Sequence, residues 1–211
     1  MEIIAHRGYW KSIEEKNTIK AMNNAFAESL GVETDFRDRD EKLKVSHNMS
    51  LESCLDAEEF FKLYKNSPFT LALNIKADGI QIPLKKLILQ YNIKEYFCFD
   101  MSVPDTLGYI KEELNFFTRE SEYESVPSFY DKAAGVWLDG FISDDWITSE
   151  KVIGHINKGK KVCIVSPELH GREYRAVWKK YKEYAFQNND QIILCTDYPV
   201  EARSFFYEYD Y

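Results

Sequence analysis

The sequence predicts an α/β fold, a single-domain (β/α)8 TIM barrel spanning residues 1–211. Three observations carry that expectation. Short β-branched and aromatic runs alternate with helix-period segments from end to end, the rhythm of βα units around a parallel sheet. Eight such units share the chain at about 26 residues each, near the low end for a closed eight-fold barrel. The predicted strands also end in charged or imidazole side chains, at the positions where such barrels build their sites.

The first strand is Glu2–His6. Thr18–Leu30 follows as a helix: Ala21, Met22, Ala25, Phe26 and Ser29 or Leu30 recur at helical intervals, Asn17 or Thr18 can cap its start, and Gly31 can end it. Val32–Phe36 is the second strand. Lys42–His47 is β-like but follows with no helix between, so it reads as an excursion between the second and third units. The remaining strands are Thr70–Lys76, Tyr96–Asp100, Phe116–Arg119, Gly135–Asp139, Lys161–Ser166 and Gln191–Thr196. Helices over Ala57–Tyr64, Leu84–Tyr91, Pro104–Glu112, Ser149–Asn157, Arg172–Phe186 and Val200–Tyr207 separate them, whereas Ser121–Lys132 is less regular and reads mostly as loop. No low-complexity linker and no repeat beyond the βα rhythm interrupts this order.

Composition narrows the function classes. Hydrophobic residues make up 45% and charged residues 29%, and 14 Phe, 14 Tyr and 4 Trp exclude a disordered chain. The net charge of −8, with no basic block to neutralise a run of phosphates, argues against a nucleic-acid partner; one cationic pocket for a small anion is compatible with it. The apolar run Met1–Ala5 is broken at once by His6 and Arg7, so no secretion signal is read and a cytoplasmic location is expected. No apolar stretch approaches the roughly 20 residues of a membrane-spanning helix, which argues against integral membrane association. Cys54, Cys98, Cys163 and Cys195 lie far apart without a C-x-x-C spacing and read as buried, reduced thiols.

The polar residues at strand ends are the candidate site. His6 and Arg7 follow the first strand, Glu33 and Asp35 lie on the second, Asn74 and Lys76 on the third, and Asp100 ends the fourth. Arg119 with Glu120, Asp139, Glu168 with His170, and Asp197 belong to the later strands. Residues two apart on a strand share a face, so Glu33 and Asp35 put two like charges together. Two readings are open: a hard divalent cation such as Mg²⁺ or Ca²⁺, or ion pairs with Arg37, Arg39 or Lys76. His6 is either a core histidine bonded to backbone or a working imidazole, and His47 alone reads as a surface histidine. Arg119 can clamp a phosphate or pair with Glu120 or Glu122. The polar loop Ser166–Arg172, with Glu168 and His170, can supply specificity or cap a helix with solvated charges. Trp137 reads as core and His155 as exposed.

In order and spacing, His6-Arg7-Gly8, then Asn17-Thr18 opening a helix, then Gly31-Val32-Glu33-Thr34-Asp35, then Asp40 and a short run to Ser46-His47, resemble the glycerophosphodiester phosphodiesterase family. That family reads H-R-G, P-E-N-T, G-x-E-x-D and H-D. Leu73-Asn74-Ile75-Lys76 looks like its E-x-K strand, and Thr196-Asp197-Tyr198-Pro199 like its T-D-x-P. The first 50 residues carry most of the match. The resemblance implies a (β/α)8 barrel in which His6 and His47 act as general acid and base on a small phosphodiester. Glu33 and Asp35, with Asn74 in third place, become ligands of Mg²⁺ or Ca²⁺, and Arg7 and Lys76 electrostatic partners of the phosphoryl oxygens. A hydroxyl next to the phosphate would attack phosphorus, and water would open the cyclic phosphate so formed.

Three positions depart from the pattern: Lys16 and Asn74 stand where the family has Glu, and Asn48 where it has Asp. Each change makes the site more positive, consistent with weaker metal binding or with a more anionic substrate. The expected function is therefore a metal-dependent phosphoric diester hydrolase. The alternatives are a non-catalytic barrel that binds a phosphorylated ligand, and a lyase that releases the cyclic phosphate.

Overall fold

Apolar and β-branched residues fix the first strand, β1 (Glu2–His6), as expected, and all of it but Glu2 is buried. The structure is a computed structural model and describes residues 1–207. Its contacts divide the chain into two compact units, one of Ala5–Phe116 and one of Met1–Ile4 with the chain from Phe117 onward.

In the Ala5–Phe116 unit, α1 (Ile19–Ala27) starts at Thr18, whose hydroxyl accepts from the Ala21 amide at 3.3 Å. Gly31 does not end this helix. Ser29, at φ 56°, takes the left-handed turn, and Gly31 opens β2 (Gly31–Arg39). β3 (Lys42–Val45) turns back antiparallel on β2 through left-handed Asp40 and Glu41, with Phe36 opposite Val45. This is the expected excursion. A two-residue strand, β4 (Leu55–Asp56), pairs antiparallel with β3 and is too short to leave a periodic signal. After α2 (Ala57–Leu63), β5 (Leu71–Ile75) lies parallel to β2 with Asp35 opposite Asn74. α3 (Gln81–Gln90), β6 (Tyr96–Phe99), parallel to β5, and α4 (Val103–Lys111), capped by Ser102, complete the unit.

Alternation along β2 decides what the site receives. Phe36 packs between Phe60 and Phe61, ring centroids 5.6 and 5.5 Å away, and Phe60 meets Tyr64 at 5.0 Å, all four fully buried. Burying one such ring stabilises the fold by about 2–3 kcal/mol, so a one-residue slip that exchanged Phe36 for the carboxylate face is strongly opposed. Glu33 and Asp35 are thereby held on the opposite face.

In the other unit, β7 (Phe117–Ser121), β8 (Gly135–Asp139), β9 (Lys161–Val165) and β10 (Ile192–Thr196) each run parallel to the next. They alternate with α5 (Ser149–Ile156), α6 (Arg175–Glu183) and α7 (Pro199–Tyr207). No helix forms between β7 and β8, as the irregular stretch indicated. Val136, Leu138, Val162, Ile164, Ile192 and Leu194 from the strands and Val152, Trp178, Tyr181 and Phe206 from the helices share one core. Trp137 is buried as expected.

Two expectations change here. His155 is not exposed: its ring is buried between the Tyr130 hydroxyl, 2.8 Å from Nδ1, and Glu120, 3.1 Å from Nε2. Arg119 pairs with Glu124 rather than Glu120 or Glu122, because Glu120 points to the other face of β7 and Glu122 accepts three amides from 141–143. Cys98, Cys163 and Cys195 are buried, Cys54 is half-buried, and none of the four is in a disulfide. Among the described residues, no helix is long and apolar enough to cross a membrane.

Candidate active site

At the carboxyl end of β1 the chain turns sharply through Arg7 (φ 57°) and Gly8 (φ 86°). A Cβ at residue 8 would lie 2.9 Å from Ala21 atoms, so the left-handed turn and the close approach of α1 both require glycine. This turn delivers the Arg7 amide to Glu33, where it donates to the backbone oxygen at 2.9 Å and to Oε2 at 3.2 Å. It also aims the guanidinium at β2. Arg7 Nε lies 3.0 Å from Asp35 Oδ2, and Nη2 lies 2.8 Å from His47 Nδ1.

His47, just past β3, sits 3.1 Å from Asp35 Oδ1 through the same Nδ1, and its side chain is 44% exposed. His6 Nε2 lies 3.8 Å from Glu33 Oε2. Both imidazoles therefore reach the β2 carboxylate pair. From β5, Asn74 Nδ2 donates to Glu33 Oε1 at 3.1 Å, and Lys76 Nζ lies 3.7 Å from Asp35 Oδ1 and 3.3 Å from Asp100 Oδ2. Of the cations offered for Glu33 and Asp35, Lys76 faces Asp35 and is joined there by Arg7; neither Arg37, which donates to the His47 oxygen, nor Arg39, which faces Asp40 and Glu52, takes part.

One participant was given no site role from sequence. Asn17, read as a helix cap and as part of the Asn17-Thr18 motif, donates from Nδ2 to Asp35 Oδ2 at 2.8 Å. Asp100, a strand-end candidate, receives Lys76. Arg7, Asn17 and Asp100 all hold left-handed backbone, at φ 57°, 61° and 66°, a conformation that costs a non-glycine residue about 1 kcal/mol or more and concentrates at working sites.

The two carboxylates are driven apart electrostatically. Burial pushes the Glu33 carboxyl up to about 8, Asp35 adds to that, and Arg7, Lys76 and the Asn74 hydrogen bond only partly oppose it. Burial also pushes Asp35 up, but the His47 hydrogen bond, the charges of Arg7 and Lys76 and the Asn17 hydrogen bond outweigh it and hold Asp35 well below the usual carboxylate range. The two acids are thus pushed in opposite directions, Glu33 toward its protonated form and Asp35 toward its ionised one, the division that acid–base chemistry uses.

Among the described residues, no cluster of three or more His, Cys, Asp and Glu side chains is placed to hold a metal ion. The oxygen donors nevertheless suit a hard cation. Asn74 Oδ1 is buried with no hydrogen-bond partner, and a half-turn of that amide would set it where Nδ2 now stands, 3.1 Å from Glu33 Oε1. Two oxygens at that spacing can share one oxygen-coordinated ion. The oxygen donors that β2 and β5 bring together are those of Glu33, Asp35 and Asn74.

A cavity of about 640 Å³ opens beside Arg7 and His47, walled by Lys16, Asn17, Thr18, Ser46 and Asn48 and, farther off, by Lys44, Glu52 and Asp56. Two of the three departing positions, Lys16 and Asn48, thus line it. Lys16 Nζ lies over the Trp10 ring at 4.4 Å.

The predicted Arg119, Glu168 and His170 belong to the other unit. Glu168 accepts from the hydroxyls of Ser166 and Thr196 and from the Asp197 amide, and burial pushes its carboxyl up. His170 Nε2 lies 2.7 Å from Asp139 Oδ1, with its ring 5.0 Å from that of Phe141.

No protein-family model and no curated protein matches this sequence. Solved structures do. A glycerophosphodiester phosphodiesterase from Parabacteroides distasonis superposes with a TM-score of 0.73 at 15% identity, over 97% of this chain and 96% of that one. The chain has the fold of the glycerophosphodiester phosphodiesterases. The fold class is accordingly α/β, the (β/α)8 barrel expected from the sequence. An Oleispira antarctica phosphodiesterase, in complex with the product sn-glycerol-3-phosphate, gives a TM-score of 0.69 at 14% identity over 97% of this chain and 96% of that one. A Ca²⁺-dependent phosphatidylinositol-specific phospholipase C from Streptomyces antibioticus gives 0.61 at 8% identity, over 97% and 95%.

Proposed function

We propose that this chain is a phosphoric diester hydrolase acting on a small, glycerophosphodiester-like substrate. The observation that carries the reading is the placement of two imidazoles on one buried carboxylate pair, with Arg7 reaching both Asp35 and His47. Arg7 and Lys76 bind the phosphoryl oxygens and neutralise their charge. In the tautomer whose Nδ1–H donates to ionised Asp35, with the Arg7 Nη2 turned to the phosphate, His47 takes on Nε2 the proton of a substrate hydroxyl next to the phosphate, and the hydroxyl oxygen bonds to phosphorus. His6 protonates the leaving alcohol as its P–O bond breaks. The two imidazoles then exchange roles as water opens the cyclic phosphate.

Glu33, Asp35 and Asn74 would hold Mg²⁺ or Ca²⁺, which supplies charge neutralisation and lowers the pKa of the attacking hydroxyl when bound. The similarity in fold to a Ca²⁺-dependent phospholipase C and to phosphodiesterases supports this assignment. A cytoplasmic setting belongs to the same reading, since it keeps the four cysteines, none of them in a disulfide, reduced.

Phosphorus NMR of glycerophosphoethanolamine incubated with the protein and Mg²⁺ or Ca²⁺ tests the proposal. Glycerol phosphate is the expected product. A cyclic phosphate that persists would make the protein a lyase, and binding without any product a non-catalytic barrel. Calorimetric titration with the ions tests the ligand set: Asn74→Glu should tighten binding about tenfold, because a third anionic oxygen strengthens attraction to a hard dication. Equal affinities would remove position 74 from the site.

A further inference from the structure

Asp35 has two oxygens and four neighbours that compete for them, so the use of its carboxylate depends on which oxygen each neighbour takes. Asn17 settles the division. Its Oδ1 accepts from the Thr34 hydroxyl at 2.9 Å, which turns Nδ2 toward Asp35 Oδ2 at 2.8 Å. Arg7 Nε takes the same oxygen at 3.0 Å. Oδ1 is left for His47 at 3.1 Å, with Lys76 Nζ farther off at 3.7 Å. Asn17 also ties down the turn that carries Arg7, because its amide donates to the Arg7 oxygen at 3.0 Å while both residues hold left-handed backbone. Asparagine suits both duties: it tolerates that backbone and carries an acceptor and a donor on one rigid amide.

We propose that Asn17 is a positioning residue: through the Thr34–Asn17–Asp35 chain it fixes the Asp35 carboxylate so that one oxygen orients His47. The inference rests on the phosphodiesterase reading for its kinetic consequence and on geometry alone for its spectroscopic one. A scaffolding role at Asn17 makes a different forecast. If only left-handed backbone and volume matter, Asn17→Asp, nearly isosteric, is the mildest change and Asn17→Gly the harsher. If Asn17 positions Asp35, Asn17→Asp faces Asp35 Oδ2 with a second acid and is the more damaging to turnover.

The test compares Asn17→Gly, Asn17→Asp and Thr34→Val with wild type. In the metal-free protein at one fixed pH, the ¹⁵N shift of His47 Nδ1 should move in Asn17→Gly and Asn17→Asp, and by less in Thr34→Val. With glycerophosphoethanolamine, kcat should fall about 30-fold or more in Asn17→Gly and further in Asn17→Asp, while KM changes less than threefold. An unmoved His47 signal in every folded variant, or kcat losses that follow thermal stability, would overturn the proposal. If wild type turns over no phosphodiester, the proposed function fails, and the His47 signal alone decides the role of Asn17.

Discussion

Each unit of the molecule contains an imidazole beside a buried carboxylate and a lysine, and the two assemblies differ in what surrounds them. In the Ala5–Phe116 unit, Asp35 meets His47, Lys76, Arg7 and Asn17, drawn from four separate stretches of chain, and His47 remains 44% exposed on a cavity wall. In the other unit, Glu120 meets Lys151 and His155, which stand one turn apart on α5, and Tyr130 takes the second ring nitrogen of His155. That ring is buried, with Nδ1 on the Tyr130 hydroxyl and Nε2 facing Glu120. The Glu120 cluster pins a helix to a strand. The Asp35 cluster gathers groups that no single packing contact requires, in a backbone held left-handed at three positions. Residue types alone therefore do not separate a site from a fastening; the origin of the partners and the exposure of the ring do.

Replacing the two histidines should break the comparison most visibly. His47→Ala should lower kcat/KM on a glycerophosphodiester by about 10²–10⁴-fold, the usual range for loss of a general acid or base, with little change in stability. His155→Ala should leave kcat/KM within threefold and cost about 1–2 kcal/mol in a denaturant titration, since Tyr130 and Glu120 each lose a buried partner. Comparable activity losses in both would put the two clusters in one class.

Removing the carboxylate charge sharpens the contrast further. Asp35→Asn leaves Arg7 and Lys76 facing a neutral group in a fully buried position and should cost about 3 kcal/mol of stability together with activity. In Glu120→Gln the Lys151 side chain is 35% exposed and solvent screens the loss, so about 1 kcal/mol is expected and activity persists. Urea midpoints and initial rates for the two variants give both numbers.

The last effect concerns Glu33 and shows as a slope against pH. Its carboxyl, raised to about 8 chiefly by burial, keeps a proton that the unfolded chain releases near pH 4. The folded state thus binds more protons between those values, and stability falls as pH rises through that window. Glu33→Gln removes the term, so the variant should be close to wild type near pH 4 and gain on it by about 1 kcal/mol for each pH unit from there to pH 7. A constant difference across that range would mean that Glu33 is ionised in the folded protein.

Much of this was legible beforehand because it is local. β1 and β8 have the bounds that their apolar runs predicted, and the other main strands differ only at their ends. Alternation on β2 put Glu33 and Asp35 on one face, and the β5 positions Asn74 and Lys76 fell beside them. Gly31 misled because a left-handed stop can be taken by Ser29 at modest cost, so glycine is a permissive marker of helix ends and not an obligatory one. His155 misled because one ring cannot announce partners 25 and 35 positions away.

The sequence by itself determined the order of elements, the face of each strand and the inventory of acids, bases and imidazoles. These follow from periods of 2 and 3.6 residues and from side-chain chemistry. Only the tertiary structure decided which cation meets which carboxylate, that Arg7 and Lys76 rather than Arg37 or Arg39 flank Asp35, and that Asn17 shares that acid. Ion pairs and pKa values depend on distance and burial in three dimensions, and residues 7, 17, 35, 47 and 76 acquire both only when separate stretches of chain are brought together.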